Sequence, residues 1–290
     1  MTTPQPPSET SVALEFVRSL AGELSSGTVE LPAFPEIATR VRRVVSDPNS
    51  TLEQVVRVVG SEPSLAARVV RISNSASFNR SGCIVGDLRT AINRIGYNMV
   101  RSVAIAFAIS QIRGADNRAG LGRYLTSLWR ESVTVAAFAY VLARTCAKVN
   151  PDEAMLSGML HGIGKLYVVT HAAHHPVLRD DRSMLEGIIK DWHASIGKAI
   201  VENWEFSAAM AAAIGQQDDH ARIGPTEADL SDVLCIAVLM AGQADDSTLL
   251  AAGLLGSPAA QRLGLSENRI RVVTEEGAVE VAALTDALGD

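Results

Sequence analysis

Apolar residues return at three- and four-residue intervals along most of the chain: Val12, Phe16, Leu20 and Leu24; Ile37, Val41, Val44 and Val45; Leu65, Val69 and Ile72. Such spacing lays an apolar stripe along a helix of 3.6 residues per turn, and no stretch alternates convincingly with the period of two that a half-buried strand requires. The punctuation agrees. Thr51 with Gln54 makes a capping box, Ser61 precedes Pro63 in a first-turn position, and Asp87, Asp152 and Ser183 with Glu186 are good helix caps. Gly96 predicts a helix stop, and Asp47-Pro48-Asn49-Ser50 a short turn. The expectation is an all-α protein of about a dozen helices.

The run from Gly114 to Gly122 carries three glycines and mixed charge between two strongly apolar helical patterns. It predicts a division into an N-terminal tail and helix (1–26), a helical half (27–113), a glycine-containing linker (114–122), a second helical half (123–245) and C-terminal helices (246–290). The last amphipathic pattern, through Ile270, Val273, Val281 and Leu284, is expected to pack on the chain's own core, with a homodimer contact as the alternative. The uncharged stretches Ser132–Ala143 and Val233–Ala244 fall short of the roughly 20 residues a bilayer needs and read as buried core helices. No membrane insertion is expected. Met1 to Thr10 has neither a basic region nor an apolar one, so it does not resemble a signal peptide.

With 47% hydrophobic and 20% charged residues, the chain is globular rather than disordered, and 4% aromatic content argues against a base-stacking or sugar-binding specialist. The net charge of −6 is unevenly spread. Between Arg40 and Arg101 stand ten arginines and no lysine, a local charge of +6 against −12 elsewhere. Arg68 and Arg71 share a helix face, and with Asn74 and Arg80 they are candidates for a partner- or anion-binding groove. A solvated arginine face and a fold-specifying role for Asn74 are the alternatives. A nucleic-acid reader would add net positive charge and stacking rings, which this region lacks apart from Phe78 and Tyr97. Cys83, Cys146 and Cys235 form no paired motif, which excludes a disulfide framework and fits a reducing cytoplasm. His171, His174 and His175 resemble a zinc cluster only by proximity; an exposed helix end is the expected setting.

The most informative run is Gly158-Met159-Leu160-His161-Gly162-Ile163-Gly164-Lys165-Leu166. It resembles the signature of the HD superfamily of metal-dependent phosphohydrolases, in which adjacent His and Asp ligate a divalent metal that activates water. Gly162 stands where that Asp belongs. The resemblance places further ligands at Glu131, in the context Trp129-Arg130-Glu131-Ser132, at His193 upstream of Trp204, at Gln216-Gln217, and at Val238. Glutamine amides and a valine cannot hold a di-metal centre, so only His161, His193 and Glu131 remain as donors. The competing reading of His161 is a core histidine bonded to backbone, with Gly162 and Gly164 serving tight turns or close helix approach.

The first half narrows the resemblance. Leu31-Pro32-Ala33-Phe34-Pro35, Ser46-Asp47-Pro48, the segment Val58 to Ala76 with Glu62-Pro63 and Ser73-Asn74-Ser75-Ala76, and Ala91-Ile92-Asn93-Arg94-Ile95-Gly96 look like the HDOD family, over residues 27–245. The resemblance implies an HDOD fold: a helical half packed on a degenerate HD-like bundle. It also implies a signalling module without catalytic residues, metal or cofactor, whose partners are signalling proteins such as response regulators or cyclic-di-GMP enzymes. A residual phosphohydrolase and a nucleic-acid-binding regulator are the other two readings.

Overall fold

The computed structural model describes residues 16, 18, 19, 22, 36–76, 78, 79, 81–115, 122–172, 175, 177, 178, 181–242 and 254–288. The Leu31–Pro35 run, residues 116–121 of the expected linker, Arg80 and His174 lie outside them. Among the described residues twelve helices carry the fold. The first half holds α1 (Glu36–Ser46), α2 (Leu52–Gly60), α3 (Pro63–Ser73) and α4 (Leu88–Ala115). The second holds α5 (Gly122–Cys146), α6 (Pro151–Leu160), α7 (Ile163–Ala172), α8 (Arg182–Asn203), α9 (Ala208–Gly215) and α10 (Leu230–Gly242). After them come α11 (Pro258–Arg262) and α12 (Glu267–Leu288). None of the described helices is long and apolar enough to cross a membrane.

Local signals set most boundaries. Thr51 Oγ1 accepts from the Gln54 amide while Gln54 Oε1 accepts from the Thr51 amide, which completes the capping box of α2. Asp87 Oδ1 accepts from the Thr90 amide at the start of α4. Three caps differ from expectation by one or two residues. Glu62, not Ser61, precedes Pro63, and Ser61 Oγ turns back to the Val58 carbonyl. Asn150 caps α6 ahead of Pro151, and Asp181 caps α8, so Asp152 and Ser183 fall within first turns. A proline at the first helical position fixes the cap directly before it, and the cap oxygen must reach amides two and three residues on. Gly96 breaks α4 with φ 78°, a left-handed backbone that favours glycine.

α5 is the axis of the second half, buried along most of its length and packed against α6, α10 and α12. Small residues let the helices close up. A Cβ at Gly158 of α6 would lie 2.5 Å from the Ala136 Cα of α5, and one at Gly164 of α7 would lie 1.9 Å from the His193 carbonyl oxygen of α8. α12 turns its apolar residues Ile270, Val273 and Leu284 onto the chain's own core. It spans both halves: it packs on α5 and α3, Arg144 pairs with Glu276, and Arg71 Nη1 donates to the Asp286 carbonyl at 2.7 Å. One continuous apolar cluster runs from Val55 and Leu65 in the first half to Leu160 and Ile236 in the second.

Candidate functional site

The His161 run sits at a helix junction. α6 ends at Leu160, His161 and Gly162 form the turn, and α7 begins at Ile163. His161 is 1% exposed, and its Nδ1 lies 2.7 Å from the Gly158 carbonyl oxygen. A carbonyl only accepts, so Nδ1 carries a proton and donates. Nε2 then faces Glu131 Oε1 at 3.5 Å, too far for a good hydrogen bond, and has no other partner.

Glu131 on α5 is instead gripped by Lys165 on α7, with Nζ 2.8 Å from the same Oε1. Burial acts to raise the Glu131 carboxyl, but attraction to His161 and Lys165 outweighs it and holds the pKa down to about 2. His193 on α8 donates from Nε2 to Asp218 at 2.9 Å, leaving Nδ1 buried without a partner. That hydrogen bond holds Asp218 below the usual carboxylate range against the opposing effect of burial, aided by the charges of His193, Lys165 and His220. Asp218 belongs to no motif in the sequence, and only the fold reveals it.

The other ligand positions offer little to a metal. Gly162 has no side chain, and the space beside it is a cavity of about 30 Å³ lined by Trp129, Met159, Ile163 and Leu166, with Ser132 as its polar group. Gln216 Oε1 accepts from Arg222 Nε at 2.8 Å. Gln217 is fully buried, and its amide donates to the His161 and Ile214 carbonyls. Val238 packs against the core from α10. The buried carboxylate of α10 is Asp232, six residues earlier, and it is held by Arg222 at 2.9 Å and Arg262 at 2.6 Å. Among the described residues no three His, Cys, Asp or Glu side chains converge on a point where they could hold a metal ion. The residues present therefore do not fit the di-metal centre that the HD resemblance implies.

Other candidates are engaged with the fold. Asn74 Nδ2 donates to the Val85 carbonyl at 2.7 Å and its Oδ1 accepts from the Val85 amide at 2.8 Å, pinning the loop before α4. Arg94 adds donations to the Ser73 and Cys83 carbonyls. Arg68 stacks over Phe107 at 5.3 Å, while Arg71 reaches α12 as described. His171 lies against Tyr167 and His175 against Phe16. Cys235 has His220 Nδ1 3.5 Å from its sulfur, but burial pushes the thiol up to about 11, which suits an inert core thiol rather than a nucleophile.

The model of the HDOD domain matches residues 31–220. The chain belongs to the HDOD family. Among solved structures, a candidate metal-dependent phosphohydrolase from Shewanella amazonensis SB2B is 25% identical, with a TM-score of 0.76 over 94% of this chain and 99% of that one. An HDOD domain protein of unknown function from Geobacter sulfurreducens, 23% identical, gives 0.66 over 94% and 99%. A candidate signal transduction protein from Marinobacter aquaeolei VT8, 22% identical, gives 0.62 over 99% of this chain and 67% of that one. These last two show the fold. An uncharacterized protein of Treponema pallidum (strain Nichols) is 25% identical over 212 residues, which are 64% of this chain and 37% of that protein. The match thus spans little more than a third of that curated relative.

Proposed function

We propose that this HDOD chain is a regulatory module of bacterial signal transduction, acting in the cytoplasm by binding a partner protein or small ligand and not by hydrolysing a phosphoester. The observation that carries the reading is the state of the positions that would hold a metal. Gly162 supplies no donor, Glu131 is paired with Lys165, and His193 is paired with Asp218. A di-metal hydrolase needs those groups as open donors around its ions. The partners of this reading are signalling proteins, with response regulators and cyclic-di-GMP enzymes as the classes to test. The three free cysteines support a reducing compartment.

The competing reading takes its lead from the name of the Shewanella neighbour, a candidate metal-dependent phosphohydrolase. Elemental analysis after incubation with manganese, iron and zinc, followed by exhaustive desalting, separates the two. The binding-module reading expects less than about a tenth of an equivalent of each metal. It also expects no hydrolysis of a generic phosphodiester. Near-stoichiometric metal that His161→Ala abolishes overturns it.

A further inference from the structure

We infer that the open cleft between α1 and the turn from α8 into α9 binds a small phosphorylated sugar or polyol. The inference deepens the proposed binding role and rests on it. The cleft, of about 440 Å³, lies where the two halves of the chain meet: Thr39, Arg42, Arg43, Ser46 and Asp47 line one wall and Glu205 the other. That volume is within the usual range of small-molecule sites, about 300–1,000 Å³. Positions 39, 42, 43 and 46 share one face of α1, while Ala38 and Val41 turn into the core.

Hydrogen-bond accounting leaves this face with donors to spare. The hydroxyls of Thr134, Thr145, Ser157 and Thr274 each donate to the carbonyl four residues earlier, the usual outlet on a helix. Among the described residues Thr39 and Ser46 make no such bond, and Arg43 has no ion pair. Arg42 is anchored, with one N–H on the Trp204 carbonyl and Nη2 3.5 Å from Glu205 Oε2, which leaves part of its five-donor fork to the cleft.

The acceptors are half spent. Asp47 Oδ1 takes the Asn49 amide and Glu205 Oε2 faces Arg42, so each carboxylate keeps its other oxygen. Glu205 holds φ 57°, with its own amide donating to the Glu202 carbonyl and the Phe206 amide to the Val201 carbonyl, a helix ending in which glycine is the usual residue. Glycine would close α8 as well, so the helix itself has no need of this carboxylate. Two guanidiniums suit one phosphate, which they can grip in bidentate fashion, whereas the two carboxylates repel further negative charge and accept from hydroxyl groups instead. The donors from Thr39 to Ser46 spread over about 10 Å of helix, longer than one phosphate group. A molecule with a single phosphate and several hydroxyls matches that row at both ends.

The test is an NMR titration of the ¹⁵N-labelled full chain at constant ionic strength, with ribose 5-phosphate, inorganic phosphate and ribose as the probes. The expected result is a Kd of about 1 mM or tighter for ribose 5-phosphate, with shifts centred on the amides of Arg43, Ser46 and Glu205, and at least about tenfold weaker binding of ribose. Arg43 makes no contact that the fold needs, so Arg43→Ala should fold as wild type and lose at least about tenfold in affinity for ribose 5-phosphate. Arg57→Ala, an equal loss of charge on the exposed face of α2, should change nothing. Glu205→Gly should weaken ribose 5-phosphate without weakening inorganic phosphate. Ribose 5-phosphate bound no tighter than ribose or than inorganic phosphate overturns the inference, as does an Arg57→Ala loss equal to that of Arg43→Ala. Release of inorganic phosphate from ribose 5-phosphate by the wild type is a separate failure, that of the non-catalytic reading, and the affinities still decide the cleft.

Discussion

Alanine at Gly158, Gly162 and Gly164 makes one chemical change at three points of the same run, and the structure assigns each a different cost. At Gly164 the new Cβ would lie 1.9 Å from the His193 carbonyl oxygen and 2.8 Å from the Gly197 amide nitrogen. A carbon and a carbonyl oxygen touch at about 3.3 Å, so α7 and α8 must part by about 1.4 Å. Backbone, not a flexible side chain, stands in the way. The expected cost is at the top of the overpacking range, about 3 kcal/mol or more. At Gly158 the obstacle is the Ala136 backbone of α5 at 2.5 Å, and about 2–3 kcal/mol is expected. At Gly162 the Cβ would meet Ser132 Oγ at 3.4 Å, and φ is not positive, so alanine fits. Its reduced unfolded-state entropy gives an effect between zero and about 0.5 kcal/mol of stabilisation.

Thermal unfolding followed by circular dichroism reads the series. About 2–4 °C per kcal/mol is the usual scale for a chain approaching this size. Gly164→Ala should therefore lower Tm by about 6–12 °C, while Gly162→Ala should stay within about 2 °C of wild type. A Gly164→Ala protein as stable as Gly162→Ala refutes the claim that α7 and α8 approach through that glycine.

Two further outcomes follow from single contacts. Asn74→Ala removes both hydrogen bonds to Val85 in a partly buried setting, so a loss of about 1–3 kcal/mol is expected together with faster exchange of the Val85 amide; unchanged exchange at Val85 counts against the clamp. The folded-state pKa of Glu131 is lowered from 4.5 to about 2, so its contribution to stability is complete above about pH 4.5 and is lost as the pH falls toward 2. With 36% of the side chain exposed, solvent screening discounts that contribution to about 1–2 kcal/mol. The stability difference between wild type and Glu131→Gln, from urea unfolding, should fall below about half its pH 7 value by pH 3, and a difference independent of pH rejects the assignment.

Whatever the chain encodes through neighbours three or four residues away was legible before the fold. The Thr51–Gln54 box, the Asp87 cap and the break at Gly96 are local signals, and they stand where the sequence puts them. Where several polar residues stand close together the boundary moved, as at Asn150 and Asp181, because Asp, Asn and Ser offer nearly equal caps and the backbone decides among them. The site was half legible. The resemblance to the HD signature marks His161, Gly162 and Glu131, but it shows Lys165 only as part of a motif and not as the partner of Glu131, and it does not single out Asp218. Their pairings join residues 34 and 25 positions apart, on different elements, and leave no periodic trace. The struts from Arg42 to the Trp204 carbonyl and from Arg71 to the Asp286 carbonyl span 162 and 215 positions and were beyond any local reading.

Those struts change the meaning of the arginine-rich stretch. A basic segment of sequence is a basic surface only if its charges face water. Here Arg42 binds the Trp204 carbonyl and Glu205 beside the Phe206 ring, Arg89 pairs with Glu53, Arg94 holds two carbonyls, and Arg71 caps the C-terminal end of α12. A guanidinium suits this work better than an ammonium, because its planar fork can serve separated carbonyl oxygens, as Arg94 does with Ser73 and Cys83, while its face stacks on a ring. Arg40, Arg43 and Arg57 remain on the solvent faces of α1 and α2, and Arg71 and Arg89 are exposed while making their pairings. Strong phosphate-backbone recognition uses roughly 6–10 cationic contacts, more than these five supply on a chain of net charge −6. For an anion to engage Arg71 or Arg94 fully it would have to compete with the Asp286 carbonyl on α12 and with the loop carbonyls that Arg94 holds within the first half. Arg42, Arg71 and Arg94 are thus struts of the fold as well as sources of positive charge.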